Sequence, residues 1–543
     1  FLLQKYPMKS FMIYLMLLFF VLEINAQDVT FALSPEQQLE LGMSFGGHLH
    51  SNATDHYLYL IKKEGNFLSI KYDYVLQKYD GAMSLKYSKT LKSETSEIRD
   101  IELKYFNNKF ARLQYKTNND FTQFFITPIT LDGEESNRKE IANMKYTDIG
   151  FPKISWQASN DASKILFIAE SDTDQRKENY QVNLTMLDDD FNVLWTKDVK
   201  LPYSQFRFES SSWTVTNNGE VNFLGKINDE ISKFQESIWG SRNIPSILKI
   251  YNISAEESQK SHDLVFEDAY RKGIKLHIHK KTENLALIGF TGDSAAGPIQ
   301  GVTFMSLSAQ NGSIIFTKTR DFTEKELDSF GRTNTSKDPN TDERGLDNNY
   351  IFIEIISTND GGFTPVLEEN TIDETTYKYS EANQRTNTTY NCFSIVSMSI
   401  NSDGNINKPG IIPKKQSTLR AGKNNGNDPR NEELTDFQYY ARFVGSNHVF
   451  YLYNDDQDNF KNNSINLANY KKLNDYNDAV AVLAFFDKDG NILRKQLFTK
   501  RETKTILMPK YCHQIDDNRM FLVNKKLVRF GKPVLIFGIL TIK

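Results

Sequence analysis

The stretch FFDKDGNILRK, Phe485 to Lys495, sets two aspartates, a glycine and an asparagine within five positions. It either holds a calcium ion or turns the chain. A calcium loop supplies oxygen ligands at alternating positions, a glycine at its sixth place and a closing bidentate carboxylate at its twelfth. Counted from Asp487, Gly490 stands two places early and Phe498 occupies the closing position. Asp, Asn and Gly tolerate the positive φ and local side-chain hydrogen bonds of a tight hairpin. The stretch therefore reads as a turn.

The same slot recurs. KILFIAE (164–170) leads through a polar loop to YQVNLTML (180–187), the turn DDDFN (188–192) and VLWTKDV (193–199). LALIGFTG (285–292), GVTFMSLS (301–308), AQNGS (309–313) and IIFTKTRDF (314–322) repeat the order. A third copy runs GGFTPVLEE (361–369), a long polar loop, FSIVSMSI (393–400), NSDGN (401–405) and INKPGIIP (406–413). The fourth, HVFYLYND (448–455), AVAVLAFF (479–486) and ILRKQLF (492–498), contains the opening stretch. Aromatic residues are 13% of the chain, and they fall in short runs of period two, the mark of strands rather than helices.

Four-strand units repeated at intervals of tens of residues predict an all-β chain, a single-ring β-propeller of seven or eight four-stranded blades. HYLYLIK (56–62) is expected to complete the last blade beside PVLIFGILTIK (533–543). One helix is expected, short and N-terminal, in SPEQQLEL (34–41): Ser34 as cap, Pro35 in the first turn, Gln37 as the reciprocal partner. The organisation expected is a signal peptide at 1–26, an N-terminal segment with the short helix at 27–54, and the propeller at 55–543.

Lys5 and Lys9 precede an apolar run from Phe11 to Leu22, followed by EINAQ with Ala26 before the expected cleavage. That is the pattern of a secretory signal peptide, and the run is shorter than the ~20 residues needed to span a bilayer. Its removal takes away Lys5, Lys9 and Glu23 and moves the formal charge from −4 to −5. Such a balance lacks the basic footprint that nucleic acid requires. A mean hydropathy of −0.52 argues against a multi-span membrane protein, so no integral span is expected after cleavage. Two cysteines, Cys392 and Cys512, are too few for a disulfide framework or a four-thiolate zinc site. In an oxidising compartment they could pair once; otherwise they are buried thiols.

NDGGFTPVLEE (359–369), IIPKKQ (411–416), VFYLYNDD (449–456) and FFDKDGNI (485–492), in that order, resemble the landmarks of uncharacterised exported repeat proteins of Bacteroidetes-type bacteria. INAQ (24–27) is similar to their signal-peptide ends. The resemblance spans Gly273 to Lys543 and reaches the first half only by pattern. It implies an exported β-rich, propeller-like scaffold and carries over no catalytic residues.

Histidine is scarce, yet four of the eight form His-x-His pairs: His48 with His50 and His277 with His279. Residues i and i+2 of a strand share a face, a geometry metals use, so these four are the metal candidates. The alternative is a half-exposed strand with polar residues in alternation. No G-x-S-x-G, H-E-x-x-H or P-loop pattern is present, and no cofactor is expected. The four tryptophans, Trp156, Trp195, Trp213 and Trp239, lie within one stretch. Trp195 reads as strand packing, whereas Trp239 in SIWGSRN is the ligand-binding candidate, a stacking platform for a sugar. The function expected is an exported binding or assembly scaffold whose partner is an envelope protein or a glycan. A propeller hydrolase acting on glycans is the alternative.

Overall fold

A computed structural model of the chain describes residues 29–40, 42–66, 69–92, 97–118, 121–145, 151–170, 179–204, 207–228, 246–256, 259–264, 270–292, 297–330, 344–347, 349–380, 383–420, 434–446, 448–461, 469–474, 476–487, 490–526 and 532–543. The statements below concern these residues; the expected signal peptide and Trp239 lie outside them. The chain is all-β. Its strands form eight antiparallel sheets in chain order, and the first seven cover residues 43–91, 99–145, 153–204, 208–264, 270–321, 350–420 and 441–499. The eighth contains Ile506–Leu507, His513–Asp516, Arg519–Lys526 and Val534–Ile542, and is joined by Val29–Leu33 and Gln37–Gln38 from the N-terminal end.

A strand places successive side chains on opposite faces, and here both faces are covered. In Lys164–Glu170, Leu166 and Ile168 enter a core shared with the fourth sheet. Ile165, Phe167 and Ala169 enter one shared with the second. That is why the central strands read as continuous apolar runs. Seven of the eight core clusters join two sheets that follow one another, from Tyr57 with Phe110 between first and second to Phe443 with Leu522 between seventh and eighth. A further cluster joins Leu58 and Leu60 of the first sheet to Phe521 and Phe537 of the eighth.

The opening stretch is a hairpin turn. The Asp487 N–H donates to Asn491 O at 2.9 Å, and Gly490 N–H donates to Asp487 O at 3.0 Å with Gly490 at φ +78°. Asp487 Oδ1 accepts from Asn491 N at 2.8 Å. The turn at 188–192 repeats this set with Asp188, Phe191 and Asn192, and the turn at 401–405 with Asn401, Gly404 and Asn405. A Cβ on Gly490 would meet nothing within 4 Å, so Gly490→Ala should cost only the backbone strain, about 1 kcal/mol. Asp487→Asn should cost less, since an amide oxygen accepts the same bond. Denaturant melts with and without calcium check the ranking; a larger, calcium-dependent loss for Asp487→Asn contradicts it.

Three expectations are corrected. The short N-terminal helix does not form: Gln37–Gln38 is a strand paired with Leu535 and Val534, and Ser34 accepts from Phe537 N through Oγ at 3.1 Å instead of capping. An apolar sheet edge offering backbone partners outweighs a local capping signal. HYLYLIK does not complete the last sheet, because Asp55–Asn66 lies between Met43–Ser51 and Ser69–Asp80 in the first. Val29–Leu33 takes that place, in register from Val29 opposite Ile542 to Leu33 opposite Gly538. The polar stretch after GGFTPVLEE is a two-stranded arm rather than a loop, Phe363–Ser380 paired with Asn383–Ser397. Cross-strand contacts such as Thr376 Oγ1 to Thr386 Oγ1 at 3.1 Å support it without an apolar face. Cys392 and Cys512 are buried free thiols. No helix among the described residues is long and apolar enough to cross a membrane.

Candidate functional site

The inner strands of sheets three to eight converge on one cavity of about 870 Å³. Gln157, Trp213, Lys275, His277, Glu354, Arg442 and Asp516 line it. Lys280 and Asp517 also line it, and several of its charges are paired. Arg442 Nη1 lies 2.5 Å from Glu354 Oε2, and the Tyr440 hydroxyl donates to Glu354 Oε1 at 3.1 Å. Asp516 is held by Arg519 at 2.6 Å. Lys275 Nζ donates to Ile353 O at 2.6 Å, and burial lowers its pKa. Gln514 makes a two-way amide bridge to Val444, accepting from N at 3.0 Å and donating to O at 2.8 Å, which ties the eighth sheet to the seventh.

The histidines of both pairs contact protein neighbours. His277 Nε2 lies 2.9 Å from Ser357 Oγ, and its pKa is pushed down to about 4, mainly by burial and then by Arg442, Lys280 and His279. His279 Nε2 donates to Gly361 O at 2.7 Å, while its Nδ1 accepts from the backbone of Lys281 and Thr282. Both ring nitrogens of His279 are therefore engaged in fastening one turn to the next sheet. His48 and His50 do not share a face, because a bulge falls between them. His48 stacks on His513 of the eighth sheet at 4.6 Å, and His50 on Tyr105 of the second at 3.8 Å. Period two fails where the ladder slips by a residue. The described residues hold no group of three or more His, Cys, Asp or Glu arranged for a metal.

Three tryptophans pack. Trp156 contacts Phe106 and Phe167 and donates through Nε1 to Glu102 at 2.9 Å. Trp213 stacks on Phe223 at 4.0 Å, and Trp195 lies against the core between the third and fourth sheets.

A second opening, about 720 Å³, lies between the sixth and seventh sheets on the side of the turn at 487–491. Asp360, Asn401, Asn407, His448, Phe486 and Asp487 are among its walls. No single motif marks it in the sequence; its residues come from four turns that only the fold brings together.

The class is thereby set: an all-β protein of β-propeller-like repeat architecture. No family model matches the chain, and no curated protein matches it. Among solved structures, the WD40 domain of SCAP from fission yeast is similar at a TM-score of 0.35 and 8% identity, over 94% of this chain and 98% of that one. A protein of unknown function from Dyadobacter fermentans is similar at 0.32 and 8%, over 93% and 100%. A prolyl endopeptidase gives 0.32 and 10%, over 82% of this chain and 55% of that one. The chemistry of this chain has to be read from its own residues.

Proposed function

We propose that the protein is an exported, non-catalytic binding or assembly scaffold built as one closed ring of eight blades. Each consecutive pair of sheets shares a core, and the core joining the eighth sheet to the first supports closure. The single observation that carries the binding reading is the state of the central cavity. Six inner strands face it, and two of its carboxylates, Glu354 and Asp516, are each paired with an arginine. A glycosidase places two carboxyl groups across its substrate, one of them free to give a proton. Paired charges on rigid strands suit recognition instead, with contacts spread over the cavity and the turns around it. The signal peptide at 1–26 and a partner drawn from envelope proteins or glycans belong to the same reading, whereas the sheets take in strands from Val29 onward rather than from about residue 55.

Protein recovered from the envelope or the medium should begin at Gln27 by mass spectrometry. Immobilised on a support, it should retain a component of a solubilised envelope fraction or a purified glycan without changing it. Release of shortened glycan would replace this reading with the hydrolase alternative, and a chain that keeps residues 1–26 would remove export from it.

A further inference from the structure

The groove between the sixth and seventh sheets has a composition that the ring does not require. Its floor carries Tyr451, whose hydroxyl donates to Ser397 Oγ at 2.7 Å, and the half-buried ring of Phe486. Phe486 lies directly on Gly410, where a Cβ would meet the ring at 2.3 Å, so glycine is what lets the ring lie along the groove. Around it, side chains use one atom locally and leave another available. Asp360 Oδ1 accepts from Thr358 Oγ1 at 2.5 Å and from Gly362 N at 3.1 Å, which leaves Oδ2. Asn401 Oδ1 accepts from Asp403 N and Asn405 N, which leaves its amide nitrogen. Asn407 donates to Ser399 Oγ at 2.7 Å, which leaves its amide oxygen. His448 Nδ1 is buried without a hydrogen-bond partner, although a buried polar atom of this kind costs free energy unless satisfied.

The charge at the groove narrows the ligand. Asp360 and Asp487 are its carboxylates and Lys408 its cation, a set that disfavours polyanions and offers no carboxylate cluster for a polycation. Amides and carboxylates held by their neighbours, set around an aromatic ring, match the alternating hydroxyls and the apolar face of a sugar. We propose that this groove binds a neutral glycan, one pyranose ring lying against Phe486 and its hydroxyls shared among Asp360, Asn401, Asn407 and His448. The proposal rests on the binding reading above and gives it a ligand class and a place beside the central cavity, with which the groove shares Asn359 and Val444 as walls.

The test uses the mature chain and neutral oligosaccharides of glucose, mannose, galactose, xylose and N-acetylglucosamine, screened by saturation-transfer NMR and titrated by calorimetry. At least one series should bind. Ser446→Trp, which fills the groove from an exposed position, and Asn407→Ala should each weaken it about tenfold or more, with thermal melts unchanged. Lys408→Ala should leave the affinity within about twofold, since a neutral ligand gains little from a surface cation. Absence of binding across the panel overturns the proposal. So does binding that survives both groove variants; if Arg442→Ala abolishes it instead, the ligand sits in the central cavity and the scaffold reading stands. Loss of binding in Lys408→Ala assigns the groove to an anionic ligand and overturns the neutral class. Cleavage of a bound oligosaccharide overturns the non-catalytic reading and leaves the site in place.

Discussion

Deletion of residues 29–39 should lower stability by on the order of 5 kcal/mol or more and promote self-association. These residues supply the outer partner of Val534–Ile542, five positions through Val29–Leu33 and two through Gln37–Gln38. Ser34 N donates to Phe537 O at 2.7 Å and Leu39 N to Pro533 O at 2.9 Å, so the strand is held along most of its length. Val29 packs into the core between the seventh and eighth sheets, Phe31 lies 5.2 Å from Phe498, and Leu39 enters the core shared with the first sheet. Without them VLIFGILTI becomes an exposed, apolar, unpaired edge, the kind that recruits other chains.

Denaturant melts and light scattering after size exclusion measure both effects. A point substitution isolates the strand contact: a Cβ on Gly538 would meet Ala32 O at 2.7 Å, so Gly538→Val should push the N-terminal strand off and reproduce part of the loss. A deleted chain that associates no more than the parent and melts with it would show that the eighth sheet does not depend on its N-terminal strands.

The strands of this fold were legible because their cores are two-sided. AVAVLAFF and KILFIAE announce themselves as short apolar runs, and the turns between them are written in Asp, Asn and Gly. The second and third strands of a sheet therefore read clearly, while the inner strands, such as Ala441–Val444 and His513–Asp516, are short, mixed in polarity and easily passed over. Those inner strands line the cavity. Capping signals misled where tertiary pairing competed and went unread where it did not. Ser34 and Gln37 lost their helix to a sheet edge, whereas Thr323 with Glu326 and Thr499 with Glu502 close real capping boxes on the short helices Glu324–Phe330 and Lys500–Thr503. The sequence does not show what the structure does with the histidine pairs: a bulge parts His48 from His50, and both ring nitrogens of His279 are engaged locally. The groove was not legible at all, because Asp360, Asn401, Asn407 and His448 sit in turns whose spacing along the chain carries no period.

The landmarks VLEE and IIPKKQ acquire a physical reason in the sixth sheet, where Glu368 and Lys414 form an ion pair at 2.5 Å, with both side chains at most 1% exposed. Gln416 Oε1 accepts from Lys414 Nζ at 3.3 Å, and Asn370 donates to Glu368 Oε2 at 3.1 Å. Cys392 lies within the field of the pair, its pKa pushed up to about 11, chiefly by burial. Desolvating two charges roughly cancels their attraction, so the pair adds little net stability, but removing one partner strands the other. Lys414→Met should therefore lower stability by about 3–5 kcal/mol, among the largest effects of any single substitution in the chain. Glu368→Met should cost a similar amount for the mirror-image reason. The double variant should lose far less than the two added together, because neither uncompensated charge remains. Urea melts of all four proteins give the coupling energy directly. Additive losses would mean that water reaches the pair and that the site is wetter than its burial implies; a double variant close to the parent would show that the pair fixes the path of Gly410–Ile412 and Gln416–Arg420 beside the arm rather than holding the sheet together.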